Sequence, residues 1–265
     1  MSIERPHHVI VHRWEGGELK LVKEYLGDES LVHLCLNGEK ITTLLASKND
    51  LQELICGHFF TEYGLNSPSV RPNITISEDT GGISVDLNDG NLDIITKRSR
   101  PVISSCGACD QNNLSDLVDN TPIVSAPSEY YFMDELVGFL EKMKSEQTEF
   151  VKTGGVHGAG LLLGDGTFGV MEDIGRHNAV DKVIGAMYLK GMNQNIRALF
   201  LSGRCGWDIV AKAAKSNIPV IVSVGAASSL AAQTARAANI TLVTFVRHGK
   251  SVIISPVDGR FHTKD

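Results

Sequence analysis

The chain predicts an α/β protein, α+β overall, with a larger C-terminal domain on a mostly parallel sheet and a smaller N-terminal α+β domain. Three observations lead there. In the last third, strand-like runs at Ile196 to Leu201, Val220 to Val224 and Leu242 to Val246 alternate with helix-like runs at Trp207 to Lys215 and Ser228 to Ala238, the pattern of parallel β-α-β units. The first hundred residues carry short alternating apolar segments around a single helical stripe. Between the two lies a long polar connection, so the expected boundaries are 1–100 for the small domain, 101–127 for a mobile linker and 128–265 for the large domain.

In the N-terminal part, Val9 to His12 and Leu31 to Leu36 read as strands, and Asn37-Gly38 followed by Glu39 to Leu45 reads as a hairpin. Ser47 with Asp50 three residues on resembles a capping box. The helix it starts would bury Leu51, Leu54, Ile55 and Phe59 on one face and close at Gly64. Ile83 to Leu87 and Leu92 to Ile95 look like closing strands. After the connection, Met133, Leu136, Val137, Leu140 and Met143 form a helical core stripe, and Asp165-Gly166 between Leu161 to Leu163 and Phe168 to Val170 is a hairpin signal. Asn178 with Asp181 is expected to cap a helix that buries Val180, Val183, Ile184 and Met187 and ends at Gly191.

Composition excludes several classes. With 42% hydrophobic and 21% charged residues the 265-residue chain is of ordinary globular type. A net charge of −6 and a pI near 5.8 argue against a general nucleic-acid binder. No signal-peptide run opens the chain, and the longest apolar stretch, Ile218 to Ala232, is interrupted by Ser223, Gly225, Ser228 and Ser229, so no membrane association is expected and the protein reads as cytoplasmic. Five scattered cysteines in a reducing compartment should be thiols, with Cys35 and Cys56 in the core.

The chemistry is sought first at Cys106 and Cys109, inside Pro101-Val102-Ile103-Ser104-Ser105-Cys106-Gly107-Ala108-Cys109-Asp110, where small neighbours leave the sulfurs unshielded. A C-x-x-C spacing alone fits a thiol-disulfide couple, half a zinc site, a persulfide-bearing nucleophile or two idle loop cysteines. A nucleobase deaminase needs a glutamate two residues after its histidine, but position 159, two after His157, is Ala; no second C-x-x-C completes a four-cysteine zinc site. A thioredoxin-like site would start a helix just after a strand, and Asp110 to Asp116 does not build one convincingly. Sulfur transfer remains.

A second locus is a crevice at the carboxyl ends of the parallel strands, where open α/β sheets bind ligands. It would be lined by Ser202-Gly203-Arg204, Gly225 to Ser229 and Arg247-His248-Gly249-Lys250. Arg176 and His177, in the run Glu172 to Lys182, sit beside an expected helix N-terminus and suit phosphate, although an ion-pair network of Glu172, Asp173 and Arg176 is the competing reading. Gly154, Gly155 and His157 lie in a glycine-rich segment that could bring backbone close to a ligand, with a hydrogen-bonded structural role for His157 as the competing reading. Lys97, Arg98 and Arg100 either dock an anion or form a solvated strand end.

The runs Ser105 to Cys109, Thr153 to Ala159, Glu172 to Lys182, Ser202 to Arg204 and Phe245 to Lys250 together resemble the formate dehydrogenase accessory proteins, the FdhD-type sulfur carriers, over nearly the whole chain. That resemblance implies a larger domain with a cytidine-deaminase-like, three-layer fold and no deaminase chemistry, and a homodimer. It also implies a sulfurtransferase that takes sulfur from a cysteine desulfurase as a persulfide. The acceptor would be the molybdenum cofactor, a bis-molybdopterin guanine dinucleotide destined for formate dehydrogenase; no permanent metal is implied. By resemblance Cys106 bears the persulfide, Cys109 is its partner, and Phe245, Val246, Arg247, His248, Gly249 and Lys250 form the cofactor-binding loop. The chain departs from the family pattern at Gly225 to Leu230, which lacks the usual proline and threonine, and at Lys250-Ser251-Val252-Ile253, which replaces an Arg-Phe run. The alternative from another class is a cofactor-shielding chaperone with C-x-x-C as a redox latch.

Overall fold

The computed structural model describes residues 8–64, 72–88, 114–127, 129–192, 195–247, 249–254 and 256–262. Cys106, Cys109 and His248 lie outside the described residues, as do the strand expected at Leu92 to Ile95 and the basic run Lys97, Arg98 and Arg100.

The chain begins with a two-stranded ribbon, β1 (His8–Glu15) and β2 (Glu18–Tyr25), longer than the single strand expected at Val9 to His12. Next come β3 (Ser30–Leu36) and β4 (Glu39–Ala46), joined through Asn37 (φ 50°) and Gly38 (φ 82°), the positive-φ pair that suits the twist of a two-residue hairpin. They form a four-stranded sheet in the order β4-β3-β6-β5 with β5 (Asn73–Asp79) and β6 (Gly82–Asn88). Helix α1 (Leu51–Tyr63) covers it, burying Leu51, Leu54, Ile55 and Phe59, and Gly64 ends the helix in left-handed backbone as expected. Ser47 is not its cap. Asp50 takes that position without a side-chain bond, while Ser47 donates its N–H to Asp173 and its Oγ accepts from Ile174, tying this sheet to the body of the protein.

The second body has a six-stranded sheet ordered β12-β11-β10-β9-β7-β8. Strands β9 (Ile196–Leu201), β10 (Val220–Ser223) and β11 (Thr241–Arg247) run parallel, connected by α6 (Trp207–Lys215) and α7 (Ser229–Ala237). The hairpin of β7 (His157–Leu163) and β8 (Phe168–Asp173) and the returning strand β12 (Lys250–Ile254) pair antiparallel, so the sheet is mixed where a mostly parallel one was expected. Helices α5 (Arg176–Leu189), α6 and α7 pack on one face through Val180, Val183, Ile209, Ala213 and Ala235, and α3 (Met133–Glu146) packs on the other through Leu136, Leu140 and Met143. The result is a three-layer arrangement. A short α4 (Thr148–Thr153) follows α3, its first N–H groups taken by Glu172.

Part of the expected mobile linker is docked. Residues 114–119 form α2 (Leu114–Asp119); the Trp207 indole donates to Leu117 O at 3.3 Å, and Val124 is buried with its backbone bonded to Ala238 and Asn239. Apolar Leu117 and Val124, set among polar neighbours, supply the anchor.

The two bodies meet where α1 crosses α5. A Cβ at Gly57 would stand 1.8 Å from Asp181 O, and one at Gly185 would stand 1.9 Å from Glu53 O, so only glycine at both positions lets the backbones touch. Sandwiched between α1 and the sheet, α5 is buried from Asn178 to Tyr188. That forces its polar groups to pair inside the protein. Asp181 is not a cap: its carboxylate accepts from Lys212 Nζ at 2.8 and 3.0 Å, from Thr61 Oγ1 at 2.9 Å and from His58 Nδ1 at 3.1 Å. Lys212 also reaches Glu62 at 2.7 Å. Burial pushes the Asp181 carboxyl up, but Lys212 and His58 more than reverse this and hold it below the usual range; Asp181 and Glu62 likewise hold the Lys212 ammonium above its usual range against burial.

Two tests follow from this joint. Gly185→Ala should destabilise by about 2–4 kcal/mol in chemical denaturation, although alanine alone would favour a helix by about 1 kcal/mol, because the helices must separate. Lys212→Met should cost about 3–5 kcal/mol at pH 7, since two buried carboxylates lose their cation. The depressed Asp181 contributes its stability above about pH 4 and the raised Lys212 contributes below about pH 10. The deficit of the variant should therefore be largest at neutral pH and shrink as acid protonates its stranded carboxylates.

Candidate functional site

Because β7 runs against β9 and β8 returns in the direction of β9, the start of β7, the turn from β8 into α5 and the carboxyl ends of β9, β10 and β11 all fall at one end of the sheet. The N-termini of α5, α6 and α7 therefore face the same end. Their loops are bonded in a row. Ser202 N donates to Gly158 O at 3.0 Å, and Gly158 N to Ser202 Oγ at 2.9 Å. Ser223 Oγ donates to Gly203 O at 2.6 Å, Cys205 N to Ala226 O at 3.0 Å, and Phe245 N to Gly225 O at 3.1 Å. This gives a ledge whose backbone positions are held before any ligand arrives.

Glycines make the ledge close-packed at two points. Gly203 lies against the His157 ring, where a Cβ would come within 3.3 Å of Nδ1, and Gly225 lies 2.9 Å, on the same measure, from Gly203 O. Exposed Arg204 follows Gly203, and half-buried Arg176 and His177 open α5. Arg176 lies 3.6 Å from Asp208 Oδ2, and His177 Nε2 donates to the same oxygen. The Nε of Arg176 is buried and has no hydrogen-bond partner among the described residues. A buried donor of this kind calls for an acceptor.

At Phe245 (φ 54°) the pairing of β11 with β12 shifts register, a bulge that leaves this aromatic 49% exposed beside the ledge. Arg247 and Lys250 pair across the end of the same hairpin, both exposed, and Gly249 (φ 75°) makes the turn. Val246 departs from expectation. It is buried in the core beneath α3, because the strand's alternation turns it away from the ledge. Gly154 (φ 64°) serves as the C-cap of α4, and Gly155 packs on the backbone of Gly27. The expected ledge residues His157, Arg176, His177, Ser202, Gly203, Arg204, Phe245, Arg247, Gly249 and Lys250 thus share one end of the sheet.

The run Glu172 to Lys182 divides between two duties. Asp173 and Lys182 form a fully buried pair at 2.7 Å, and Asp173 also accepts from Ser47, Gly175 and Asn178. Asn178 is not the helix cap, which falls at Gly175; its amide donates instead to Leu45 O and Asp173. Arg176 and His177 alone of the run's charged and titratable groups turn to the ledge. The sequence reading missed Asp208, whose only signal is an acid in the first turn of a helix.

The described cysteines are structural. Cys35, Cys56 and Cys205 are buried, and burial pushes the thiols of Cys35 and Cys205 up, away from thiolate. His157 is pushed down by burial, then by the charges of Arg176 and, after an opposing Asp173, Arg204. His177 is lowered by burial against the pull of Asp208. Both shifts favour the neutral imidazole over the imidazolium. Arg204→Ala should raise the titration midpoint of His157, followed by its ring-proton resonance in NMR, because a nearby cation is removed.

Fold and ledge define an α/β protein that presents cations and histidines together at its strand ends. The chain belongs to the FdhD/NarQ family, whose sequence pattern matches residues 28–259. Its relatives include three proteins called sulfur carrier protein FdhD. That of Corynebacterium efficiens is 34% identical over 245 residues, covering 84% of this chain and 86% of the relative. The Bacillus subtilis protein is 31% identical over 241 residues, covering 90% and 91%. The Thermoplasma acidophilum protein is 42% identical over 158 residues, 59% of this chain and 56% of that one. The crystal structure of a chain from Desulfotalea psychrophila, assigned as a formate dehydrogenase accessory protein, superposes over 97% of this chain and 99% of its own with a TM-score of 0.72 at 23% identity, a likeness of fold. No helix among the described residues is long and apolar enough to cross a membrane.

Proposed function

We propose that this chain is a sulfur carrier for formate dehydrogenase, with Cys106 as the sulfur-bearing residue and the ledge as the seat of the acceptor. The observation that carries the reading is the anchoring of α2 beside the N-terminus of α6, through Trp207 and Leu117. Cys106 lies eight residues before Leu114, the start of α2. At most about 25–30 Å of chain therefore separates it from the start of α2, at 3.3–3.6 Å per residue. The buried thiols of Cys35, Cys56 and Cys205 do not compete with it.

In the proposed reaction the Cys106 thiolate attacks the outer sulfur of a persulfide on a cysteine desulfurase. The donor's S–S bond breaks, the donor leaves as a thiolate, and Cys106 keeps the sulfur as its own persulfide. Cys109 is the neighbouring thiol. The substrate that receives the sulfur is the molybdenum cofactor in its bis-molybdopterin guanine dinucleotide form, and the carrier acts as a homodimer.

The ledge residues fit such a substrate. Its phosphates bring the acceptor oxygens that the buried Arg176 Nε lacks, and Arg204, Arg247 and Lys250 add charge where three helix N-termini converge. Phe245 offers an exposed ring for a flat base or pterin.

Incubation of the full chain with a cysteine desulfurase and cysteine should add one sulfur atom to the peptide containing Cys106, read by mass spectrometry, and Cys106→Ala should abolish the gain. Loss of two hydrogens in its place would indicate the redox latch of a chaperone. Guanosine diphosphate should bind the wild type in titration calorimetry, and Arg176→Ala should weaken it roughly tenfold or more, the scale of a charged hydrogen bond.

A further inference from the structure

We infer that Asp208 is the positioning residue of the ledge: its carboxylate holds His177 and Arg176 in the orientation in which they meet an anionic ligand. The inference rests on the proposed reading of the ledge as a polyphosphate site and adds the residue on which its geometry depends. An acid beside an anion site is a paradox if only charge is considered. Asp208 repels the ligand that Arg176 attracts, so it must offset that repulsion in another way.

The geometry supplies the way. Asp208 is the second residue of α6 and is 9% exposed. Its Oδ1 accepts from Ile209 N at 2.9 Å, which fixes the carboxylate against its own helix, and its Oδ2 is shared by His177 Nε2 and the Arg176 guanidinium. With Nε2–H donated to a carboxylate, the neutral ring must present Nδ1 as an acceptor. Arg176 touches Asp208 by one terminal nitrogen only, so the rest of its fork, including the buried Nε, is left for another partner.

Neighbouring residues are shaped to keep Asp208 there. A Cβ at Gly206 would stand 2.4 Å from Asp208 Oδ1, so the glycine makes room for the folded-back carboxylate. One helical turn deeper, Asp181 on α5 and Lys212 on α6 form the buried pair already described, four residues after His177 and Asp208. The two helices are thereby locked in the register that sets His177 opposite Asp208.

The test separates position from charge. Guanosine diphosphate is titrated calorimetrically into the full wild-type chain, Asp208→Asn and Gly206→Ala. Gly206→Ala keeps every charge and displaces only the carboxylate; its backbone, with φ −90°, accommodates alanine. Both variants should bind roughly tenfold more weakly. If Asp208 contributes charge alone, Asp208→Asn binds more tightly and Gly206→Ala is unchanged, and either result overturns the inference.

Nitrogen-15 NMR of the wild type at pH 8 supplies a readout that needs no variant to fold. His177 should carry its proton on Nε2, and in Gly206→Ala the two tautomers should mix. A proton on Nδ1 in the wild type would overturn the inference. Failure of the wild type to bind the nucleotide at all would instead overturn the polyphosphate reading, and the tautomer would then decide the role of Asp208 by itself.

Discussion

Backbone contact between α1 and α5, opened by Gly57 and Gly185, is the constraint on which the rest of the protein hangs. Glycine inside a helix costs about 1 kcal/mol relative to alanine, and the chain bears that cost twice. What it obtains is a joint in which one helix is shared by two cores: Tyr188 of α5 belongs to the core of the small sheet, while Val180, Val183 and Ile184 of the same helix belong to the core of the large one. The first residues of that helix are Arg176 and His177. The joint and the ledge are two ends of one rigid element.

So tight a crossing leaves no water for the polar groups of α5, and their pairing decides how the site is built. Asp181 finds Lys212, His58 and Thr61, and Lys182 finds Asp173. Such buried pairs contribute little net stability compared with apolar residues, but breaking one is costly, so they act mainly to specify register. The register in question aligns α5 with α6 and brings Asp208 to His177. The buried pair and the ledge contact are thus consecutive rungs of the same pair of helices, and the long run Glu172 to Lys182 is largely scaffolding with two residues, Arg176 and His177, turned to the ledge.

Net charge says little about this site. The chain carries −6 overall, yet Arg176, Arg204, Arg247 and Lys250 gather at the strand ends, where helix N-termini add positive potential. The loops there bond to one another, so the donors are oriented before a ligand arrives and binding need not order them. Cys35, Cys56 and Cys205 are buried, which leaves these three thiols with packing roles.

Much of this was legible in the sequence, because local patterns carry it. The span of α6, the hairpin at Asn37-Gly38, the C-cap at Gly64 and the strands β9 to β11 follow from periodicity and turn chemistry that need no distant partner. The ledge residues were legible for a related reason: loops after parallel strands converge by topology. What failed were readings of polar side chains as local caps. Ser47, Asn178 and Asp181 look like helix-starting residues, but each is claimed by a partner more than a hundred positions away (Asp173, Leu45, and His58 with Thr61), where a buried donor or acceptor outweighs an exposed cap. The antiparallel edges of the large sheet, the turning of Val246 into the core, and the meeting of Gly57 with Gly185 and of Asp208 with His177 were likewise decided only by the fold. Each depends on which elements pack together, and no periodicity within a single element encodes that distance.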